Sequence, residues 1–110
     1  MLTEIHRMRV LVAAATPFHV RPVDLVHTKN KHRTLSAARQ TAAYLFRGYA
    51  MSYPEIGHEL QYRDHTSAMS GVFRIKAALA TNEPAWLAAR AREALAIIVQ
   101  GDDTNQWSWP

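Results

Sequence analysis

The stretch "SYPEIGHELQYRDHTSAM", residues 52–69, contains two helix starts separated by a short polar connection. Ser52 and Glu55 have the spacing of a capping box, in which each side chain accepts a hydrogen bond from the backbone N–H of the other residue. The apolar residues that follow recur at helical spacing. The pattern therefore predicts a short helix over residues 53–60.

Asp64 is a suitable N-cap for a second and longer helix. Its predicted buried stripe repeats at i, i+4, i+7 and i+11 and consists of Ala68, Val72, Ile75 and Leu79. A short helix, a tight connection over residues 61–63 and a longer helix are typical of a helix-turn-helix. An ordinary helical hairpin has the same pattern, and Asp64 and Ser67 are as well explained by capping alone.

Two helices are predicted before this pair. Residues 2–15 carry an apolar stripe at i, i+3, i+6 and i+10, and "TP" ends that helix because proline disfavours a helical residue before it. The stripe consists of Leu2, Ile5, Met8 and Val12. Residues 27–34, "HTKNKHRT", have no apolar periodicity and are interpreted as a basic loop. Ser36 is then the expected cap of a helix whose stripe consists of Ala38, Ala42, Leu45 and Tyr49.

One more helix is predicted after the pair, over residues 83–100, with Asn82 as its cap. Its inward stripe consists of Leu87, Ala91, Ala94 and Ile98. The remaining "DDTNQWSWP" is interpreted as an exposed tail. The chain is thus expected to be all-α, with a helix-turn-helix domain over residues 1–80 and an additional helix and tail over residues 81–110, packed on it or at an interface.

Charge is distributed unevenly along the 110 residues, whose formal net charge is +4. Residues 21–76 hold nine Lys or Arg and four Asp or Glu, and the rest holds four basic and five acidic residues. A polyanion is the expected partner of such a surface. A solvated basic face that serves only solubility is the alternative.

An enzyme is the least expected class. The chain has six histidines and no cysteine, and its histidines fall in predicted loops or at positions that do not share a helix face. No catalytic residue, metal ligand or cofactor is therefore predicted. The apolar run at residues 10–15 is too short to span a bilayer, so no membrane partner is predicted and a cytoplasmic location is expected.

Residues 10–79 resemble the C-terminal DNA-binding domain of DnaA, the bacterial replication initiator. The most specific match is "PEIGHELQYRDHTSAM", residues 54–69, which has that family's Pro-Glu-Ile-Gly and Arg-Asp-His-Thr blocks in order and correctly spaced. "VDLV", residues 23–26, and "ARQTAAYLFR", residues 38–47, support it. The resemblance implies a Trp-repressor-like helical domain with a helix-turn-helix, and double-stranded DNA as partner.

The resemblance also implies roles for individual residues. The first turn of a recognition helix points into the major groove. The residues expected to contact bases there are Asp64, His65, Thr66 and Ser67. Those expected to contact the DNA backbone are Arg39, Gln40, Arg47, Arg63 and Ser70. Lys31, with Arg33 nearby, is expected in the minor groove, where lysine is a weaker substitute for the arginine of the family.

Other departures from the family concern the turn and the recognition helix. Gln61 and Tyr62 replace a glycine pair, so a positive φ at either position would strain the turn. Ser70 replaces a frequent histidine. We therefore expect DNA binding to persist while the preferred sequence differs from the usual DnaA box.

The chain has no phosphate-binding Gly-rich motif of the ATPase module that precedes this domain in DnaA. A stand-alone DNA-binding protein that regulates replication initiation or transcription is the expected function. The alternative is a protein-interaction adaptor that binds DnaA or a replication component. A homodimer or a protein partner is expected to use the last helix, through Ile97, Ile98 and Val99.

Overall fold

The computed structural model describes residues 2–26, 32–101 and 106–109, which form five α-helices and no strand. The helices are α1 (Glu4–Ala15), α2 (Arg33–Gly48), α3 (Tyr53–Glu59), α4 (His65–Thr81) and α5 (Ala85–Gly101). Two 3₁₀ turns, Thr16–Phe18 and Pro22–Leu25, connect α1 towards α2. The chain is all-helical, as the sequence predicts.

Helix α2 is the centre of the packing and contacts α1, α3, α4 and α5. It is buried on several sides, and four of its buried residues are alanines, Ala37, Ala38, Ala42 and Ala43. Small side chains let the neighbouring helices approach α2 closely, while Leu45 and Phe46 fill the space between them. The orientation of α4, the predicted recognition helix, is therefore set mainly by α2.

The predicted inward stripe of α1 is wrong except at Leu2, which is partly buried against the core. Ile5 is 67% exposed and Met8 is 49% exposed, and Val12 is exposed as well. The face that packs inward instead consists of Val10, Leu11, Ala13, Ala14 and Ala15. Periodicity favoured a stripe of large side chains, but the face that is buried combines Val10 and Leu11 with three alanines.

Helix α2 begins earlier than predicted, at Arg33, and its cap is His32, not Ser36. The His32 Nδ1 atom accepts a hydrogen bond from the Thr34 backbone N–H at 3.3 Å. Arg33 therefore lies in a helical turn and not in the predicted basic loop. Lys31, with the rest of residues 27–31, lies outside the described residues.

Most predicted inward positions after α2 are confirmed. Ala68, Val72 and Ile75 of α4 are buried, whereas Leu79 is half-buried and its neighbour Ala78 is buried in its place. The four predicted inward residues of α5 are all buried. Asn82, however, ends α4 in a left-handed conformation with φ 61° instead of capping α5.

In the described part of the tail, residues 106–109, Trp107 and Trp109 are partly buried and not exposed as predicted. The Trp107 indole N–H donates to the Leu45 carbonyl at 2.9 Å, and the Ser108 backbone N–H donates to the Gly48 carbonyl at 3.0 Å. The Trp109 ring stacks on Tyr44 with 4.6 Å between ring centroids. Residues 106–109 therefore pack along α2, which a local pattern could not show.

Candidate nucleic-acid interface

The connection between α3 and α4 has the hydrogen bonds of a Schellman motif. The Tyr62 N–H donates to the Gly57 carbonyl at 2.8 Å, and the Gln61 N–H donates to the His58 carbonyl at 3.2 Å. Gln61 adopts φ 56°, a left-handed conformation that glycine adopts at no steric cost. Position 61 is one of the two at which Gln61 and Tyr62 replace a glycine pair. Its positive φ is the condition under which the sequence analysis expected strain in the turn.

Both helices of the pair begin with the predicted caps. The Ser52 side chain accepts from the Glu55 N–H and the Glu55 carboxylate accepts from the Ser52 N–H, so the capping box is confirmed. Asp64 is confirmed as the N-cap of α4. These caps fix where α3 and α4 begin, and hence which residues occupy the first turn of the recognition helix.

The Asp64 carboxylate is held by Thr66. One oxygen accepts from the Thr66 backbone N–H at 2.9 Å and from the Thr66 hydroxyl at 3.0 Å. These bonds, the backbone one foremost, lower the pKa of Asp64, so its carboxylate stays ionised at neutral pH. Because its proton points at Asp64, the Thr66 hydroxyl is left to accept hydrogen bonds from an incoming ligand.

The side chains of the first turn of α4 are exposed. His65, Thr66, Ser67 and Ser70 all face solvent, and the His65 Nδ1 atom lies 3.5 Å from an Asp64 carboxylate oxygen. An open cleft of about 360 Å³ separates this end of α4 from α2. Its lining is polar and consists of Ser36, Arg39, Gln40, Tyr62, Asp64, Thr66, Ser67 and Ser70. The structure thus brings together most of the predicted DNA contacts from two helices.

Arg39, which lines the cleft, also contacts the turn between α3 and α4. Its guanidinium donates to the Leu25 carbonyl at 3.0 Å and to the Leu60 carbonyl at 2.5 Å, and it lies 4.4 Å from the centroid of the Tyr62 ring. Two carbonyls far apart in the sequence are thereby satisfied by one side chain. Arg39 therefore has a structural task in addition to its predicted contact with the DNA backbone.

A hydrogen bond between Gln40 and Arg74 joins α2 to α4. The Arg74 guanidinium donates to the Gln40 side-chain oxygen at 2.7 Å. Arg74 is absent from the residues predicted to contact DNA. Its position seven residues after Ser67 places it on the same helix face as Ser67 and Ser70, and this spacing is the signal that could have identified it.

The two other predicted contacts with the DNA backbone differ in their surroundings. Arg47 donates to the Met51 carbonyl at 2.8 Å and lies 4.9 Å from the centroid of the Tyr53 ring. Arg63 is exposed in the turn just before Asp64. Arg47 is thus held at the end of α2 near the start of α3, whereas Arg63 is placed next to the recognition helix.

Apolar side chains are exposed elsewhere, on α1 and α5. A groove of about 500 Å³ runs between these helices and includes Ile5, Met8, Val12 and Ile97. Ile98, predicted at a partner surface, is buried in the core, while Val99 is 51% exposed. Of the three residues predicted to contact a partner, Ile97 and Val99 are exposed, and the prediction is wrong for Ile98.

Within the described ranges, no group of three or more histidines and carboxylates could hold a metal ion. No helix found there has the length and apolar character needed to cross a membrane.

Comparison with known proteins identifies relatives of the matched region. A family model described as the bacterial dnaA protein helix-turn-helix matches residues 8–75. Chromosomal replication initiator proteins DnaA from two strains of Cereibacter sphaeroides are each 38% identical over 69 residues, covering 62% of this chain and 15% of theirs. The DnaA of Jannaschia sp. (strain CCS1) is 37% identical over 60 residues, covering 54% and 12%. No solved structure matches the chain.

Proposed function

The chain belongs to the bacterial DnaA helix-turn-helix family, and we propose that it binds double-stranded DNA with α4 in the major groove. The observation that carries the proposal is the first turn of α4. Its polar side chains are exposed, its start is fixed by the Asp64 cap, and the polar cleft beside it leads to α2. The N-terminal turn of a recognition helix contacts base edges in this arrangement.

Base contacts are assigned to the exposed first turn. His65 can donate to or accept from a base edge, and the Thr66 methyl group can contact a thymine methyl. Asp64 stays ionised and is an acceptor for a cytosine amino group. Ser67, one residue further along the same turn, completes the set.

Backbone contacts are assigned to the surrounding cations and polar groups. They are Arg39, Gln40, Arg47, Arg63 and Ser70, together with Arg74, which the structure adds beside Gln40. Lys31 is assigned to the minor groove on the resemblance to the family, whereas Arg33, which lies in the first turn of α2 against the Trp86 ring, is not assigned there. Such contacts position a protein on the duplex without selecting its sequence.

The preferred sites are proposed to be related to the DnaA box, and the role to be regulation of replication initiation or transcription. Support comes from the replication initiators matched at 38% identity. The chain spans only 15% of the length of those relatives, so their activity as initiators is not assigned to it. Ser70 and the Gln61 turn favour a shifted sequence preference.

Selection from random duplexes tests the function and defines the site in one experiment. Enrichment of a motif related to the DnaA box supports the proposal. Binding should also depend strongly on salt, since about four to six phosphate contacts give a slope of log K against log salt of roughly −4 to −5. Failure to bind any duplex at low salt would refute it.

A second copy of the chain is the proposed occupant of the α1–α5 groove. Glu4 and Arg9 border the groove with opposite charges, an arrangement that is self-complementary about a two-fold axis. A dimer would place two recognition helices on two half-sites. Sedimentation should show dimers that Met8→Glu dissociates. A monomer at tens of micromolar protein would contradict pairing, and a stable complex with a replication protein would favour the adaptor alternative.

A further inference from the structure

A second concave surface lies at the junction of the first 3₁₀ turn, α2 and α5. Its volume is about 560 Å³, and its lining residues are Phe18, His19, Arg33, Thr34, Trp86 and Arg90. None of these residues carries a carboxylate, and five of the six carry a side-chain hydrogen-bond donor or, for His19, a ring that can donate. We name this surface the α5 pocket. Trp86 and Arg90 lie outside the region matched by the family model.

The indole of Trp86 supplies the most informative atom of the α5 pocket. Its Nε1 is shielded from solvent and has no hydrogen-bond partner in the described part of the chain. A buried N–H without an acceptor is unfavourable, and native proteins rarely keep one without a ligand, a water or an ion to satisfy it. The chemistry that satisfies a lone indole N–H is an acceptor oxygen.

Two arginines make the surroundings of this N–H electropositive. The Arg33 guanidinium lies 4.4 Å from the centroid of the Trp86 ring, at an exposed position from which a long side chain can move. Arg90 donates one N–H to the Pro17 carbonyl at 2.5 Å, which orients the guanidinium. Arginine presents five donors, so each of the two retains several for an anion. Helix α2 begins here and adds the partial positive charge of its N-terminus.

The α5 pocket and the cleft both border the same face of α2. Arg33, Ser36 and Gln40 are spaced at i, i+3 and i+7, so they lie on the same side of that helix. Arg33 borders the α5 pocket, and the other two border the cleft. Seven residues of helix span about 10 Å, a distance comparable with the axial rise of about three nucleotides at 3.4 Å each.

We propose that the α5 pocket binds a phosphate group, with the Trp86 indole N–H, Arg33 and Arg90 as donors. Arg33 swings away from the Trp86 ring to admit the phosphate oxygens to the indole N–H. A backbone phosphate of the bound duplex, about 10 Å along α2 from Gln40, is one source, and this version rests on the proposed DNA binding. A free phosphate or a phosphorylated small molecule is the other source and needs no DNA.

NMR of the full chain labelled with ¹⁵N provides a direct readout. The sequence has three tryptophans, so three indole N–H signals are expected and can be assigned by single Trp→Phe variants. The Trp107 indole is already bonded to the Leu45 carbonyl and serves as an internal reference. Inorganic phosphate is titrated against sodium chloride of matched ionic strength, and a selected duplex is titrated separately. We expect a saturable downfield shift of the Trp86 indole signal and no shift of the Trp107 signal.

Variants test the same site by affinity. Trp86→Phe keeps an aromatic ring and removes the N–H, and we expect about tenfold weaker phosphate binding, the effect of losing one hydrogen bond to a charged group. Arg90→Gln should weaken binding as well. Arg92→Gln removes the same charge from the same helix but outside the α5 pocket, where Arg92 bonds to Asn82 and to the Leu79 carbonyl. It should leave the phosphate-dependent shift of the Trp86 signal unchanged.

The outcomes separate the two sources and the two proposals. A Trp86 shift on duplex binding identifies the DNA backbone as the source, and a shift with inorganic phosphate alone identifies a DNA-independent ligand. An unmoved Trp86 signal in both titrations, while the duplex still binds, overturns the phosphate pocket and leaves the proposed function standing. A chain that binds phosphate at Trp86 but no duplex overturns the proposed function and leaves the pocket.

Discussion

Gly57 of α3 and His65 of α4 touch so closely that a β-carbon on Gly57 would lie 3.3 Å from the Cα atom of His65. This contact joins the short helix to the first residue of the recognition helix. A side chain at position 57 would therefore push directly on the backbone that presents His65 and Thr66. What favours glycine here is this close approach and not backbone conformation, since Gly57 is helical and has no positive φ.

Gly57→Ala should therefore disturb the recognition helix. We expect a loss of about 1–3 kcal/mol in the free energy of unfolding from overpacking, together with weaker binding to a selected duplex. Urea denaturation and duplex titration measure the two effects. Gly101→Ala is the matched control because a β-carbon there would meet nothing within 4 Å. If both variants had the same free energy of unfolding and the same duplex affinity, α3 and α4 would be able to move apart without loss of stability.

His65→Ala or Thr66→Ala should weaken binding to a selected site by roughly 1–3 kcal/mol and binding to random duplex much less, because these residues are assigned to base edges. Arg63→Ala should weaken both about equally, because a phosphate contact does not distinguish sequences. Parallel titrations on the two duplexes give the comparison. Equal losses of binding free energy on both duplexes for the His65 and Thr66 variants would mean that these side chains contact the DNA backbone and not the bases.

Gln61→Gly should stabilise the chain. Gln61 has φ 56°, where a side chain costs roughly 1–2 kcal/mol, and glycine gives back about 0.5–1 kcal/mol through its greater freedom when unfolded. The expected net gain in the free energy of unfolding is up to about 1.5 kcal/mol, measured by urea denaturation. Gln100→Gly, in the right-handed backbone of α5, should instead destabilise the chain. A loss of stability in Gln61→Gly would show that the Gln61 side chain itself holds the turn.

At acidic pH, Asp64 should no longer contribute to the stability of the folded chain. Its pKa is lowered in the folded chain, chiefly by the Thr66 N–H, so the unfolded state binds the proton first as the pH falls. The stabilisation is complete above the unfolded-state pKa of about 3.9 and is lost as the pH falls through the folded-state value. Asp64→Asn keeps a capping oxygen without titrating. Melting temperatures measured from pH 7 to pH 3 should fall less steeply in Asp64→Asn, and an unchanged slope would contradict the assignment.

The packed tail should contribute to stability. Trp107→Ala removes a half-buried ring that lies against Gly48 and the hydrogen bond to the Leu45 carbonyl, and we expect a loss of about 2–4 kcal/mol. Val99→Ala, at an exposed apolar position, should change the free energy of unfolding by less than about 0.5 kcal/mol. Chemical denaturation of both variants measures this, and a neutral Trp107→Ala would mean that the tail is detached in solution.

Features that depend on neighbouring residues were predictable from the sequence. The Ser52–Glu55 capping box and the Asp64 cap each join groups two or three residues apart, so their geometry follows from the local chain alone. The inward face of α5 was predictable too, because Leu87, Ala91, Ala94 and Ile98 recur at i, i+4, i+7 and i+11. The family motif over residues 54–69 pointed to the same helix pair that the structure contains.

Only the tertiary structure decided three other features. They are the buried face of α1, the packing of the tail on α2 and the hydrogen bond between Gln40 and Arg74. In α1, periodicity identified one apolar stripe, but a different face, with Val10, Leu11 and three alanines, is buried. Trp107 reaches Leu45 from 62 residues away, and Arg74 reaches Gln40 from 34 residues away. Local propensity and periodicity constrain only residues within a few turns of one another, whereas these contacts form because distant surfaces compete to be buried in one core.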